Sequence, residues 1–143
     1  MPGFTISVPN LVSAGAVIPC HFAVSGAHEA ALKVAGIAVP APIPVFALID
    51  TGATKSAIEQ GLAAKLSIQP TGTTMVSTAS AQGQECLTYA ARLHLPKGTA
   101  LDGFHFTELP VSLGAYQCLI GRDVLSKGML TYIGNINQFT LMF

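Results

Sequence analysis

The chain has 143 residues, half of them hydrophobic and 10% charged, which suits one domain with a sizeable core and leaves little room for two. Seven Lys and Arg balance seven Asp and Glu, and no window is basic, so the chain cannot neutralise a run of phosphates and a nucleic-acid partner is excluded. A mean hydropathy of +0.54 with so few charges implies that apolar surface is covered by another subunit, and an oligomer is expected.

No Lys or Arg occurs before Lys33, so the charged leader of a secretory signal is missing and a reducing cytoplasm is the expected location. Phe4 to Val8 and Val17 to Val24 are β-prone runs separated by Asn, Ser and Gly, and they predict two strands. Ala27 to Val34 has room for one or two helical turns. Pro40, Pro42 and Pro44 then push their predecessors out of the α region, so the chain is extended there. They also interrupt the longest uncharged apolar stretch, Val34 to Ile49, which falls short of the ~20 residues a bilayer span needs; no membrane contact is expected. Val45 to Ile49 is apolar at every position, as for a strand buried on both faces, and it ends abruptly in the polar turn Asp50-Thr51-Gly52-Ala53-Thr54.

Ser56 to Glu59 has the capping-box arrangement, and Ile58, Leu62 and Leu66 share one helical face, predicting a helix over 57–66. Pro70 and Gly72 end it. Thr73 to Thr78 and Glu85 to Leu95 predict a hairpin with the small-residue tip Ala79-Ser80-Ala81-Gln82-Gly83. Lys97 to Asp102 reads as a loop, Phe104 to Thr107 and Leu109 to Leu113 as strands, Cys118 to Gly121 as a buried strand, and Arg122 to Met129 as a short helix. The last strand, Gln138 to Phe143, has no flanking charge, and an open apolar edge there needs a partner's strand to cover it. Cys20, Cys86 and Cys118 form no Cys-x-x-Cys pair and the four histidines lie at no metal-ligand interval from them. The cysteines are read as buried small hydrophobes and the histidines as surface or partly buried, with no metal or cofactor.

The strongest chemical signal is Ala47-Leu48-Ile49-Asp50-Thr51-Gly52-Ala53-Thr54, a carboxylate at the end of an apolar strand with a hydroxyl beside it and a glycine that permits a tight turn. This stretch resembles the active-site segment of the retropepsin-like aspartic proteases, which include the retroviral enzymes. Cys118-Leu119-Ile120-Gly121-Arg122-Asp123-Val124-Leu125 resembles the second signature of that family, and Phe139 to Phe143 is similar to the strand by which retroviral proteases join two subunits. The three matches fall in the family's order across 45–143, with the hairpin where the family has its flap; 1–44 supplies N-terminal strands that match only weakly.

The resemblance implies an all-β, single-lobe acid-protease-like barrel with one or two short helices, a single domain over 1–143, working as a symmetric homodimer on a peptide or protein substrate. It implies an aspartic endopeptidase with Asp50, Thr51 and Gly52 as catalytic residues. Two carboxylates must share one proton to hydrolyse a peptide bond. The only aspartates are Asp50, Asp102 and Asp123, and neither of the latter two repeats the Asp-Thr-Gly turn, so the pair must come from two chains. By resemblance Thr51 locks the two turns across the axis, and Gly52, Ala53, Thr54 and the flap tip at Ala79, Ser80, Ala81, Gln82 and Gly83 bind substrate in apolar pockets. Tyr89, past the tip, is assigned to the core.

Thr54 stands where retroviral enzymes carry the Asp that pairs with the arginine of the second signature. Arg122 is therefore left to Asp123, Glu59 or backbone carbonyls, in a structural role. The strand-to-Asp-x-Gly turn also resembles the phosphate-binding turn of sugar kinases and actin-like ATPases, but that fold needs two large lobes. A retropepsin-like module that binds peptides or scaffolds a complex without cutting is the alternative. No cysteine has the context that would lower a thiol pKa for nucleophilic catalysis.

Overall fold

The computed structural model describes residues 2–77 and 83–143. The two N-terminal β-prone runs become β1 (Gly3–Ser7) and β2 (Val17–Val24). Between them Asn10 nucleates a one-turn helix α1 (Leu11–Ala14), its side-chain oxygen accepting from the Val12 and Ser13 amides at 3.0 and 3.3 Å. Helix α2 (Gly26–Val34) follows, and the prolines deliver an extended chain into β3 (Ile43–Ile49). The remaining strands are β4 (Ala57–Ile58), β5 (Gly72–Val76), β6 (Gln84–His94), β7 (Ala100–Glu108), β8 (Cys118–Ile120), β9 (Met129–Ile133) and β10 (Gln138–Met142), with a one-turn helix α3 (Arg122–Leu125) after β8.

Strand β2 pairs with β3 on one edge and with the end of β6 on the other, so the order β2-β3-β8-β4-β7-β6 closes into a barrel. Its interior is filled by Ile18, Phe22, Ile58, Leu93, Phe106 and Ile120, all fully buried. Phe22 and Phe106 meet edge to face, with centroids 5.9 Å apart. Strand β6 is longer than its barrel neighbours require. Its first half pairs with β5 (Gly72 opposite Thr88 to Val76 opposite Gln84), so the β5–β6 hairpin projects beyond the barrel wall. Tyr89, at the base of that hairpin, is buried as assigned. Among the described residues no helix is long and apolar enough to cross a membrane.

Several local expectations give way to tertiary demands. Strand β3 buries Val45, Ala47 and Ile49, but Phe46 is 50% exposed, because no layer covers the outer face; there it lines a groove of about 510 Å³ with Pro19, Ile43 and Gln117. The helix expected over 57–66 is instead β4, a turn, and one 3₁₀ turn over Ala63–Leu66. Ile58, Leu62 and Leu66 are all buried as the apolar spacing requires. The slot between β7 and β8, however, takes Ala57 and Ile58 as a strand paired to both.

The predicted strand over Leu109 to Leu113 does not form, since Pro110 has no N–H to donate and β7 ends at Glu108. The helix predicted to reach Met129 stops at Leu125. A Cβ on Gly128 would collide with the Met142 carbonyl oxygen, so the glycine lets the chain turn closely against β10 before Met129 enters the sheet.

The terminal sheet corrects a larger expectation. Its order is β1-β10-β9, so the C-terminal strand is central, with both edges covered by strands of its own chain. Phe139 and Leu141 are fully buried beneath it with Phe4 and Leu11. The open edges belong to β1 and β9. A partner's strand is therefore not required to cover β10.

Helix α2 buries none of its side chains and is tethered by polar contacts instead. Ser25 caps the His28 amide, the Asp102 carboxylate accepts from the Gly26 amide at 3.0 Å, and Arg92 bridges Glu29 (3.1 Å) and Asp102 (3.5 Å). The ion pair with Lys33 holds Glu29 below its ordinary 4.5, and the Gly26 amide holds Asp102 below its ordinary 3.8. A depressed carboxylate pKa contributes stability above the unfolded value, lost as pH falls through the folded one. Amide exchange over 26–34 should therefore quicken several-fold as pH drops below about 4, relative to the barrel strands. Arg92→Ala should produce the same loosening at neutral pH, both read by hydrogen–deuterium exchange.

Candidate active site

The site is assembled by a parallel pairing. Ala47, Leu48 and Ile49 of β3 lie in register with Cys118, Leu119 and Ile120 of β8, so both strands release their loops at the same end of the barrel. The Asp50–Thr54 turn and the Gly121–Asp123 segment are therefore neighbours, although about seventy residues separate them in sequence. Backbone and side-chain hydrogen bonds stitch them together. The Asp50 amide donates to the Ile120 carbonyl at 2.9 Å, and the Arg122 and Asp123 amides donate to Ala53 and Thr54 at 2.9 and 3.2 Å. The Gly121 amide donates to the Ser56 hydroxyl at 2.9 Å.

Ser56 is fully buried and was expected to cap a helix. Its hydroxyl instead donates to Asp123 Oδ1 at 2.7 Å while accepting from Gly121, and its amide donates to both Asp123 oxygens at 3.0 Å. Asp123 also accepts from the Val124 amide at the start of α3. Its carboxylate is thus structural. Gly121 is required by close approach rather than by its backbone angles. A Cβ there would lie 2.7 Å from the Lys55 carbonyl carbon.

Arg122, which lacks an acidic partner at position 54, donates Nη1 to the Thr51 carbonyl at 2.8 Å and Nη2 to the Thr54 hydroxyl at 3.1 Å. Of the three expected partners, the backbone carbonyl is realised; Asp123 and Glu59 are not used. A threonine hydroxyl stands in for the absent carboxylate, and the guanidinium holds the outside of the turn.

Asp50 is half-buried. Its Oδ1 accepts from the Gly52 amide at 2.9 Å, and the Ala53 amide closes on its carbonyl at 3.2 Å, the pattern of an Asx turn. The carboxylate faces a groove of about 620 Å³. Gly52, Ala53 and Thr54 line it, together with Lys55 just after the turn and Thr74 to Ser77 on and just past β5. Leu109 and Leu119 form part of its floor, and Thr54, Thr74, Ser77 and Thr107 add hydroxyl-bearing residues to a mostly apolar lining. Thr51 is exposed beside the groove without lining it, and its hydroxyl has no partner among the described residues.

Gly83 lies just before the return strand, with φ +69°. Ala79, Ser80, Ala81 and Gln82, the rest of the expected flap tip, lie outside the described residues. The stretch Thr74 to Ser77 was missed as a groove wall, as were Lys55 and the Ser56–Asp123 interlock. An edge strand in the sequence could have pointed to the first; nothing local signals the others.

Among the described residues Asp50 is the one carboxylate lining this groove. Asp102 is engaged with Gly26 and Arg92, and Asp123 with Ser56. The cysteines are all buried and free; burial pushes the Cys20 thiol up to about 12 and raises that of Cys118, which removes both as thiolate nucleophiles near neutral pH.

A sequence model of the family described as "gag-polyprotein putative aspartyl protease" matches residues 41–127. Among solved structures, a retropepsin-like aspartic protease from Rickettsia conorii superposes with a TM-score of 0.59 at 13% identity, over 98% of this chain and 90% of that one. The EIAV protease, solved with the inhibitor HBY-793, matches at a TM-score of 0.46 and 20% identity, over 59% of this chain and 76% of that one. The search of curated proteins gave no match.

Ser56→Ala should leave the buried Gly121 amide without its acceptor, while Asp123 Oδ1 loses one donor and keeps the Ser56 and Val124 amides. The expected cost is ~1–3 kcal/mol of unfolding free energy, measurable by urea denaturation. Unchanged stability would mean that this hydroxyl does not close the interlock.

Proposed function

The chain belongs to the gag-polyprotein aspartyl protease family and has the retropepsin-like fold, and from this we propose that it is an aspartic endopeptidase whose catalytic pair is Asp50 from each of two subunits. The observation that carries the proposal is the solitary Asp50 carboxylate, held by the Gly52 amide at the mouth of a peptide-sized groove, with both other aspartates engaged elsewhere. One chain offers half of a pair, and a two-fold axis supplies the other half.

Two carboxylates in contact cannot both ionise, so the pair holds one proton at working pH. The ionised Asp50 takes a proton from a water molecule as the water oxygen attacks the scissile carbonyl carbon. The partner subunit's Asp50 gives its proton to the carbonyl oxygen, forming a gem-diol. On collapse the C–N bond breaks, the amine nitrogen takes a proton from one carboxyl, and a gem-diol proton returns to the other. The pair ends with one proton, as it began.

In this reading the exposed Thr51 hydroxyls bond across the axis, Gly52 accepts from the substrate main chain, and Thr74 to Ser77 flank an extended peptide. The hairpin that carries them excludes water from the reacting bond. With β10 already paired on both sides, the two subunits meet through other surfaces than an open C-terminal strand.

Wild type and Asp50→Asn should be incubated with a mixed peptide library from acidic to neutral pH and cut sites read by mass spectrometry. Cleavage is expected from the wild type, best at acidic to mildly acidic pH, with the variant slower by about 10²–10⁴-fold. Excess Asp50→Asn chain should inhibit the wild type by forming mixed dimers, and specific activity should fall on dilution. Peptide binding without cleavage by dimeric wild type would replace the enzyme with a peptide-binding module. Equal cleavage by the variant would sink the mechanism.

A further inference from the structure

The groove beside Asp50 carries a second charge that the proposed hydrolysis does not use. Lys55 lines it, is exposed, and is, with Asp50, one of only two charged residues among the described lining. Its ammonium has no carboxylate partner within ion-pair distance among the described residues, where the ion pairs all belong to the Glu29, Lys33, Arg92 and Asp102 cluster beneath α2. Asp123 accepts from the Ser56 amide and hydroxyl and from the Val124 amide, so its oxygens are occupied. Arg122, the other cation at this end of the barrel, is engaged with Thr51 and Thr54. Among the described residues Lys55 is the free cation on the groove wall.

Its backbone is also placed by the interlock. Gly121 packs against the Lys55 carbonyl group closely enough to exclude a methyl, and the next amide, that of Ser56, is held by Asp123. The stem of Lys55 therefore leaves a fixed point on the lining it shares with the Asp50 turn and Thr74 to Ser77. An extended peptide running along this groove passes its side chains alternately to the two faces, so one of them meets Lys55.

We propose that Lys55 is a specificity residue that selects substrate peptides bearing an acidic side chain in the subsite beside the catalytic turn. The inference deepens the peptidase reading and rests on it for the identity of the groove's occupant. A carboxylate there gains a charge-assisted hydrogen bond and neutralises an otherwise unpaired ammonium; an amide of the same shape gains less, and a lysine is repelled. Because Lys55 is exposed, the gain is that of a solvent-screened pair, about fivefold in affinity rather than several orders of magnitude, and it weakens with salt. In a symmetric dimer the preference falls once on each side of the cut bond.

The test takes one peptide found to be cut and varies each flanking position among Glu, Gln and Lys. The wild type should favour Glu over Gln by about fivefold in kcat/KM at one position on each side, mostly through KM. Lys55→Gln should bring that ratio to about one, Lys55→Glu should turn it toward Lys peptides, and Lys55→Arg should retain it.

The same peptides are then titrated by fluorescence anisotropy against Asp50→Asn and the double variant Asp50→Asn, Lys55→Gln. Acid-selective binding lost with Lys55 supports the inference even if no peptide is ever cut, in which case it is the hydrolysis that fails. Binding or cleavage with no acidic preference, or a preference that survives Lys55→Gln, overturns it.

Discussion

The parallel register between β3 and β8 is the constraint on which the site depends. Strands that run the same way end together, and these two end in Asp50 and Gly121. Each loop supplies hydrogen-bond partners that the other lacks within itself. The Asp50 turn presents its carbonyls to the Arg122 and Asp123 amides, and the second loop offers its carboxylate to the Ser56 amide and hydroxyl. Buried polar groups are thereby satisfied in pairs across the seam, and no described side chain is left buried without a partner. A carboxylate positioned by two mutually dependent loops is held more firmly than one at the tip of an isolated turn.

Barrel closure explains where the groove lies. Strand β6 shares one edge between β5 and β2 and gives the other to β7, so its far end closes the barrel and its near end cannot. The unclosed part is the hairpin, and its first strand forms the wall facing Asp50. The terminal sheet is a separate device. Strand β10 threads between β1 and β9 and ties the two ends of the chain together beneath Phe139 and Leu141. The apolar C-terminus is thus consumed within the chain, and the aggregation hazard of an open apolar edge passes to the less apolar strand β1 and to β9.

With only 10% charged residues, the placement of each charge carries weight. Glu29, Lys33, Arg92 and Asp102 hold down a helix that buries none of its side chains. Asp123 and Arg122 brace the two loops from opposite sides. Asp50 and Lys55 are left facing the groove, where a carboxylate and an ammonium can act on something other than each other.

The sequence by itself determined the position of most strands along the chain, the hairpin, the apolar identity of the core and the Asp50 turn. These follow from alternation, from proline and glycine placement, and from a polar turn interrupting an apolar run, all of which act within a few residues. It also placed Ile58, Leu62 and Leu66 in the core, yet assigned them the wrong conformation, because a 3.6-residue spacing records which side chains are buried and not which backbone bonds are available. Only the tertiary structure decided that Ala57 and Ile58 fill the slot between β7 and β8, that Ser56 bonds Asp123 instead of capping a helix, and that β10 lies at the centre of its sheet. Each of those outcomes turns on hydrogen-bond partners distant along the chain, and no local propensity encodes a partner that the fold has yet to bring near.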